Sequence, residues 1–212
     1  LKKQVGALAA RRDHKSTKQP VHTSINFGSY HALVIGINRY HNVPRLRTAV
    51  ADAEAIAEVL KSKYGFTVTS LINPTREQIF NMLDGLRAKL KSTDNLLIYY
   101  AGHGVLDEKA DEGFWLPVNA RSDLRSQWVS NATITNTLKA IEAKHVMVIA
   151  DSCYSGRLVR GLPRGIQITE RTEKPTDYFT KMSRKKARVV ITSGGLEPVE
   201  DGRGEHSPFT RA

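Results

Sequence analysis

One cysteine stands in 212 residues, so no disulfide can form within the chain, the usage expected in a reducing compartment. No apolar run approaches the roughly 18 residues needed to cross a bilayer. The first 20 residues carry charge throughout, without the apolar centre of a secretory signal. A cytoplasmic location is therefore expected, with no membrane partner. Prolines number only 8 and hydrophobic residues reach 40%, which argues against a disordered chain. Acidic residues are outnumbered, 21 against 32 basic, for a net charge of +11. Much of that charge gathers in residues 2–18, 157–171 and 181–188. The first two stretches lack the interleaved aromatics of a base-stacking surface. Charge alone commonly marks a solvated face, and nucleic acid is not the expected partner.

Residues 1–28 have no regular apolar periodicity and read as a basic N-terminal extension or linker. Residues 29–212 then form one domain, a size suited to a single core. Apolar runs over 30–37, 66–72, 95–101, 145–150 and 188–192 predict five strands. Residues 48–63 have helical spacing, with Val50, Ile56, Val59 and Leu60 on one side and a stop at Tyr64-Gly65. Pro74-Thr75 opens a second helix whose stripe is Ile79, Leu83, Leu86 and Leu90. An acidic turn over 107–112, followed by Phe114-Trp115, reads as a small hairpin. Ser130 or Asn131 caps a helix to about residue 143, a basic helix is expected over 176–186, and Ser207-Pro208 opens another. Strands alternating with helices predict an α/β fold, a mostly parallel central sheet with helices on both faces.

The lone thiol, Cys153, lies in Asp151-Ser-Cys-Tyr-Ser-Gly156, directly after an apolar strand. The carboxyl ends of such strands form the rim where open α/β sheets hold their ligands. A second apolar strand ends in Tyr100-Ala-Gly-His-Gly104, so a thiol and an imidazole sit at two strand ends, 50 positions apart. That pairing suits a Cys-His nucleophile, in which the ring sets the thiol's protonation and later protonates the leaving amine. A lone cysteine is more often a buried structural residue, but the polar, Gly-bearing surroundings of Cys153 argue against a core position. For His103 the plain alternative is a satisfied turn histidine.

These two motifs, in this order and spacing, resemble those of the caspase-like cysteine peptidases, nearest to the metacaspases and bacterial caspase homologues, over roughly residues 30–210. The caspase pattern has Gln-Ala before the cysteine. Asp-Ser stands there instead, which points toward the metacaspase branch. The resemblance implies a caspase-like three-layer sandwich with a last helix and sixth strand, before which this chain is expected to be cut short. It also implies an endopeptidase in which Cys153 attacks, His103 moves the proton, and the backbone amides of Gly104 and Cys153 hold the oxyanion. A backbone carbonyl, with no third acid, would orient the histidine.

The resemblance further assigns Asp151 and Asp52 to the pocket for the residue before the cleaved bond. Two carboxylates there favour a cation, so the expected substrates are proteins or peptides cut after Arg or Lys. The plainer readings are a helix N-terminal acid for Asp52 and a loop-bracing carboxylate for Asp151. Many metacaspases need calcium, but Ser130-Asn131 and Arg160 replace the acids of that site, so no metal and no cofactor are expected. Asp107, Glu108, Asp111 and Glu112 read as a solvated acidic turn. Arg157, Arg160, Arg164 and Arg171 lie in a loop-like stretch open to self-cleavage, so proteolytic processing, or an activating protein or protease, is expected to control the enzyme. The alternative from another class is a catalytically inactive caspase-like scaffold that binds partners.

Overall fold

An inner strand forms where the sequence is continuously apolar. β1 (Tyr30–Gly36) buries every residue from Ala32 onward, the signature of a strand covered on both faces. In the computed structural model, which describes residues 26–152, 185–193 and 206–211, β1 lies between β2 (Thr67–Ile72) and β3 (Asn95–Ala101). The sheet continues through β7 (His145–Asp151) to β8 (Ala187–Thr192), in the order β2-β1-β3-β7-β8, with every pairing parallel. All five strands read from the sequence are present. Residues 1–25 of the N-terminal extension, Cys153, the stretch bearing Arg157, Arg160, Arg164 and Arg171, and residues 176–184 of the expected basic helix lie outside the described residues, while Lys185 and Lys186 are not helical.

Side-chain alternation divides the core between the two faces. Ala32, Val34, Tyr99 and Ala101 point toward α1 (Ala49–Tyr64), where Ala49, Ala53 and Leu60 meet them. Leu33, Ile35, Ile98, Tyr100 and Val148 point the other way, onto α2 (Arg76–Lys89) and α3 (Asn131–Ala140). The α2 stripe is as its periodicity predicts: Ile79, Leu83, Leu86 and Leu90 are all buried. Thr75 starts that helix with a reciprocal capping box to Gln78.

The α1 stripe differs from its sequence reading. Its buried face is Ala49, Asp52, Ala53 and Leu60, whereas Val59 is exposed. The reason is close approach: a Cβ on Gly36 would lie 2.7 Å from the Ala53 Cβ, so the helix meets β1 there through small residues. Leu60 is buried further along, Ile56 packs partly against the same cluster and Val59 is left outside. That orientation carries Asp52 inward, where it is fully buried.

α3 is capped by Ser130, whose Oγ accepts from Thr133 N–H at 3.0 Å, and it stops three residues earlier than expected. The carbonyls of Ile141, Ala143 and Lys144 instead accept from the Arg188 guanidinium at 2.9–3.0 Å. Part of the basic charge near β8 is thus spent inside the fold. After β3 the chain leaves the sheet for a small antiparallel one, β4 (Gly104–Asp107), β5 (Glu112–Trp115) and β6 (Val129–Ser130), which is the hairpin excursion expected from the sequence. No helix among the described residues is long and apolar enough to cross a membrane.

Candidate active site

The rim is built where the strand order reverses. The chain passes from β1 to β2 on one side and then returns to lay β3 on the other, which opens a crevice beyond the carboxyl ends of the strands. β3 and β7 end in register there, Ala101 opposite Asp151. The amide of Gly102 donates to the Asp151 carbonyl at 3.4 Å. His103 follows directly on one strand, and the described chain runs out at Ser152 on the other.

His103 is held from three directions. Its amide donates to the Tyr40 hydroxyl at 2.7 Å, and its carbonyl accepts from the Tyr100 hydroxyl at 2.8 Å. The ring packs against Tyr40 with centroids 4.7 Å apart. Its Nε2 lies 2.8 Å from the Pro44 carbonyl oxygen. A carbonyl has no hydrogen to give, so Nε2 carries the proton and the lone pair of the neutral ring is on Nδ1. The sequence resemblance implied a backbone carbonyl against the histidine, and the Pro44 carbonyl is the one within hydrogen-bond distance of its ring. Burial pushes the Tyr40 hydroxyl well above the ordinary tyrosine range, with hydrogen bonds from His103 and Tyr100 opposing that shift. It therefore stays neutral. Gly102 is required by the same crowding, since a Cβ there would lie 2.7 Å from both tyrosine hydroxyls. Gly104, after the histidine, is buried at the start of β4.

Asp52 and Asp151 reach one place from different elements. Both oxygens of Asp52, in the first turn of α1, accept from Ser207 N–H at 3.2 Å. Asp52 Oδ1 also accepts from His206 Nδ1 at 2.8 Å. Asp151, at the end of β7, accepts from Ser207 Oγ at 2.5 Å. Ser207 Oγ in turn accepts from Thr210 N–H at 3.1 Å, starting the short helical turn Pro208–Arg211. Beneath this group, Tyr99 shares a 3.0 Å hydrogen bond with Thr210 Oγ1. Its hydroxyl is pushed up by burial and then by the two aspartate charges, against that hydrogen bond.

The sequence therefore named two acids that do converge, but it missed the segment lying across them. Ser207-Pro208 read only as a helix start. A serine before proline gives no sign that its Oγ and its amide serve two carboxylates 56 and 155 residues away. Tyr40 and Pro44 were missed too, because they lie in a loop without periodicity.

The acidic turn is solvated at Glu108 and Asp111, which are exposed, but not at its two ends. Asp107 accepts from the amides of Lys109 and Ala110 and pairs with Arg125 at 2.6 Å. Glu112 accepts from Ala132 N–H at the start of α3, at 2.8 Å.

Beside His103 lies a cavity of about 230 Å³ lined by Val43, Pro44, Val105, Leu116 and Trp128 together with His103 and Gly104.

Residues 29–212 match the family model of the Caspase domain. Metacaspase-8 of Arabidopsis thaliana is 29% identical over 163 residues, covering 69% of this chain and 42% of that protein. Metacaspase-6 of the same plant is 30% identical over 186 residues, covering 80% of this chain and 50% of its own length. The human mucosa-associated lymphoid tissue lymphoma translocation protein 1 is 30% identical over 125 residues, which is 58% of this chain and 15% of that protein. The chain thus spans half or less of the length of these curated relatives. Among solved structures, protein GSU0716 from Geobacter sulfurreducens superposes with a TM-score of 0.60 at 20% identity, covering 86% of this chain and 79% of that one. A likeness at that identity concerns the fold alone.

Proposed function

The chain belongs to the Caspase domain family, and on that premise we propose that it is a cysteine endopeptidase cutting after Arg or Lys through a Cys153–His103 dyad. The observation that carries this reading is the 3.4 Å hydrogen bond from Gly102 N–H to the Asp151 carbonyl. It ties together the backbones that lead into the histidine and the cysteine. Cys153 itself lies outside the described residues, so its position is part of the proposal.

The chemistry follows from the ring's protonation. With Nε2–H held by Pro44, Nδ1 takes the thiol proton, and Sγ attacks the carbonyl carbon of the scissile bond. The C=O π pair moves onto oxygen, which the amides of Gly104 and Cys153 stabilise. Collapse of that adduct breaks the C–N bond, and the proton on Nδ1 goes to the leaving amine. A water then attacks the thioester, giving its proton to Nδ1; the carboxylic acid leaves, and the departing thiolate takes that proton back from Nδ1.

Asp52 and Asp151 supply the cation preference as a pair of buried carboxylates converging on one point. A substrate guanidinium or ammonium would take the place on Asp52 now held by the His206 ring, which is one-third exposed. Arg157, Arg160, Arg164 and Arg171 remain proposed self-cleavage sites. Intact masses of wild type and Cys153→Ala, unclipped and differing only by the substitution under assay conditions, would overturn that control.

The test of the whole reading is a thiol-reactive activity probe with peptides ending in Arg, Lys and Asp. Labelling is expected at Cys153, blocked by an Arg-based covalent inhibitor, with Arg and Lys peptides cut and the Asp peptide spared. Asp52→Asn should lower kcat/KM on Arg peptides. Preferential cleavage after Asp would remove the acidic pocket from the account, and a Cys153 inert to every probe would remove the protease.

A further inference from the structure

The 230 Å³ cavity beside His103 belongs to no step of the chemistry above, yet His103 and Gly104 form its edge. Its place follows from the two faces of the sheet. The acids sit on the α1 face, where Asp52 belongs to α1 and Tyr99, beneath them, belongs to the α1-side cluster. The cavity sits with the opposite cluster, since Leu116 and Trp128 pack with the residues that face α2 and α3. His103 lines the cavity and lies just beyond β3, whose last residue pairs with Asp151.

A peptide whose scissile carbonyl is held at His103, and whose preceding side chain enters the acidic slot, must send its next residue away from that slot. We infer that the cavity is the subsite for the residue immediately after the cleaved bond, and that it selects an aliphatic or aromatic side chain there. This rests on the endopeptidase reading, since it takes the cleaved bond to lie at His103.

The walls support that occupant. Val43, Val105, Leu116 and Trp128 offer hydrocarbon and no charge. Few, fixed polar groups in a mostly apolar concavity are the usual build of a recognition pocket. The Trp128 ring is fixed, because its Nε1–H donates to the Arg121 carbonyl at 2.7 Å and it packs edge-on to Phe114 with centroids 5.4 Å apart. A rigid wall loses little entropy on binding. An aspartate or lysine on the substrate would leave its charge unpaired against these walls, which costs far more than an apolar group gains.

The experiment compares peptides identical through Arg and differing only in the following residue: Leu, Phe, Gly, Asp or Lys. Alongside them runs an acyl-Arg methyl ester, whose leaving group carries no side chain. The Leu and Phe peptides are expected to exceed the Asp and Lys peptides at least tenfold in kcat/KM. Val43→Arg, which fills the cavity from a loop, should abolish that preference while ester hydrolysis stays at the wild-type rate. Ser122→Arg, on an exposed turn at the cavity edge, is a second block should Val43→Arg fold poorly. Equal rates on the Leu and Asp peptides, with the ester still hydrolysed, would overturn the subsite and leave the protease standing. Failure to hydrolyse ester and peptides alike, with Cys153 unlabelled, would overturn both.

Discussion

The hydroxyl of Tyr40 accepts the backbone N–H of His103 at 2.7 Å, although 63 residues separate them. The same ring packs on the imidazole, so one buried tyrosine sets both the backbone and the plane of the histidine. Removing that hydroxyl strands a buried donor, which costs about 1–3 kcal/mol. Tyr40→Phe is therefore expected to lose roughly that much stability in urea titration, and to lower kcat more than it raises KM. A variant as stable and as active as wild type would show that Pro44 alone suffices to hold the ring.

Gly102→Ala attacks the same arrangement from the other side. The added methyl would meet both tyrosine hydroxyls at 2.7 Å, and those hydroxyls are bonded to His103. Overpacking of this kind costs about 1–3 kcal/mol. The larger consequence is expected in activity, because the groups that must move are those that fix His103. Denaturation and hydrolysis measured on one preparation separate the two effects.

Ser207→Ala removes the donor to Asp151 while keeping the backbone donor to Asp52. A loss of about 1–3 kcal/mol is expected, read as a lower urea midpoint at unchanged slope. An unchanged midpoint would mean that the Pro208–Arg211 turn is held by its backbone alone.

Alkaline pH should loosen the fold through Tyr40 and Tyr99. Both hydroxyls are raised above the ordinary value of 10.0, in each case first by burial. The unfolded chain releases these protons near pH 10, whereas the folded one keeps them. Their contribution is therefore complete below pH 10 and is lost as pH rises toward the folded values. The melting temperature is expected to fall as pH rises above about 10, and less steeply in Tyr99→Phe. Identical slopes in wild type and Tyr99→Phe would rule out this origin.

Chelation should leave hydrolysis unchanged. The Asp107 and Glu112 carboxylates are already engaged with backbone amides and Arg125, and a hard cation needs six to eight oxygen ligands. Rates with and without EDTA check this directly, and a chelator-sensitive rate restored by calcium would contradict it.

The sequence by itself determined the strands, the α2 stripe and the two motifs at strand ends, because each is a local pattern. Burial on both faces makes β1 apolar throughout, and one-sided burial spaces Ile79, Leu83 and Leu86 at helical intervals. What only the tertiary structure decided is which groups meet at the rim. α1 turned its alanines inward because Gly36 lets it come close, and that rotation buried Asp52 beside Asp151. Tyr40, Pro44 and Ser207 act on partners 56 to 155 residues away. Contacts of that range leave no periodic trace in the chain, since they depend on where whole strands and helices come to rest.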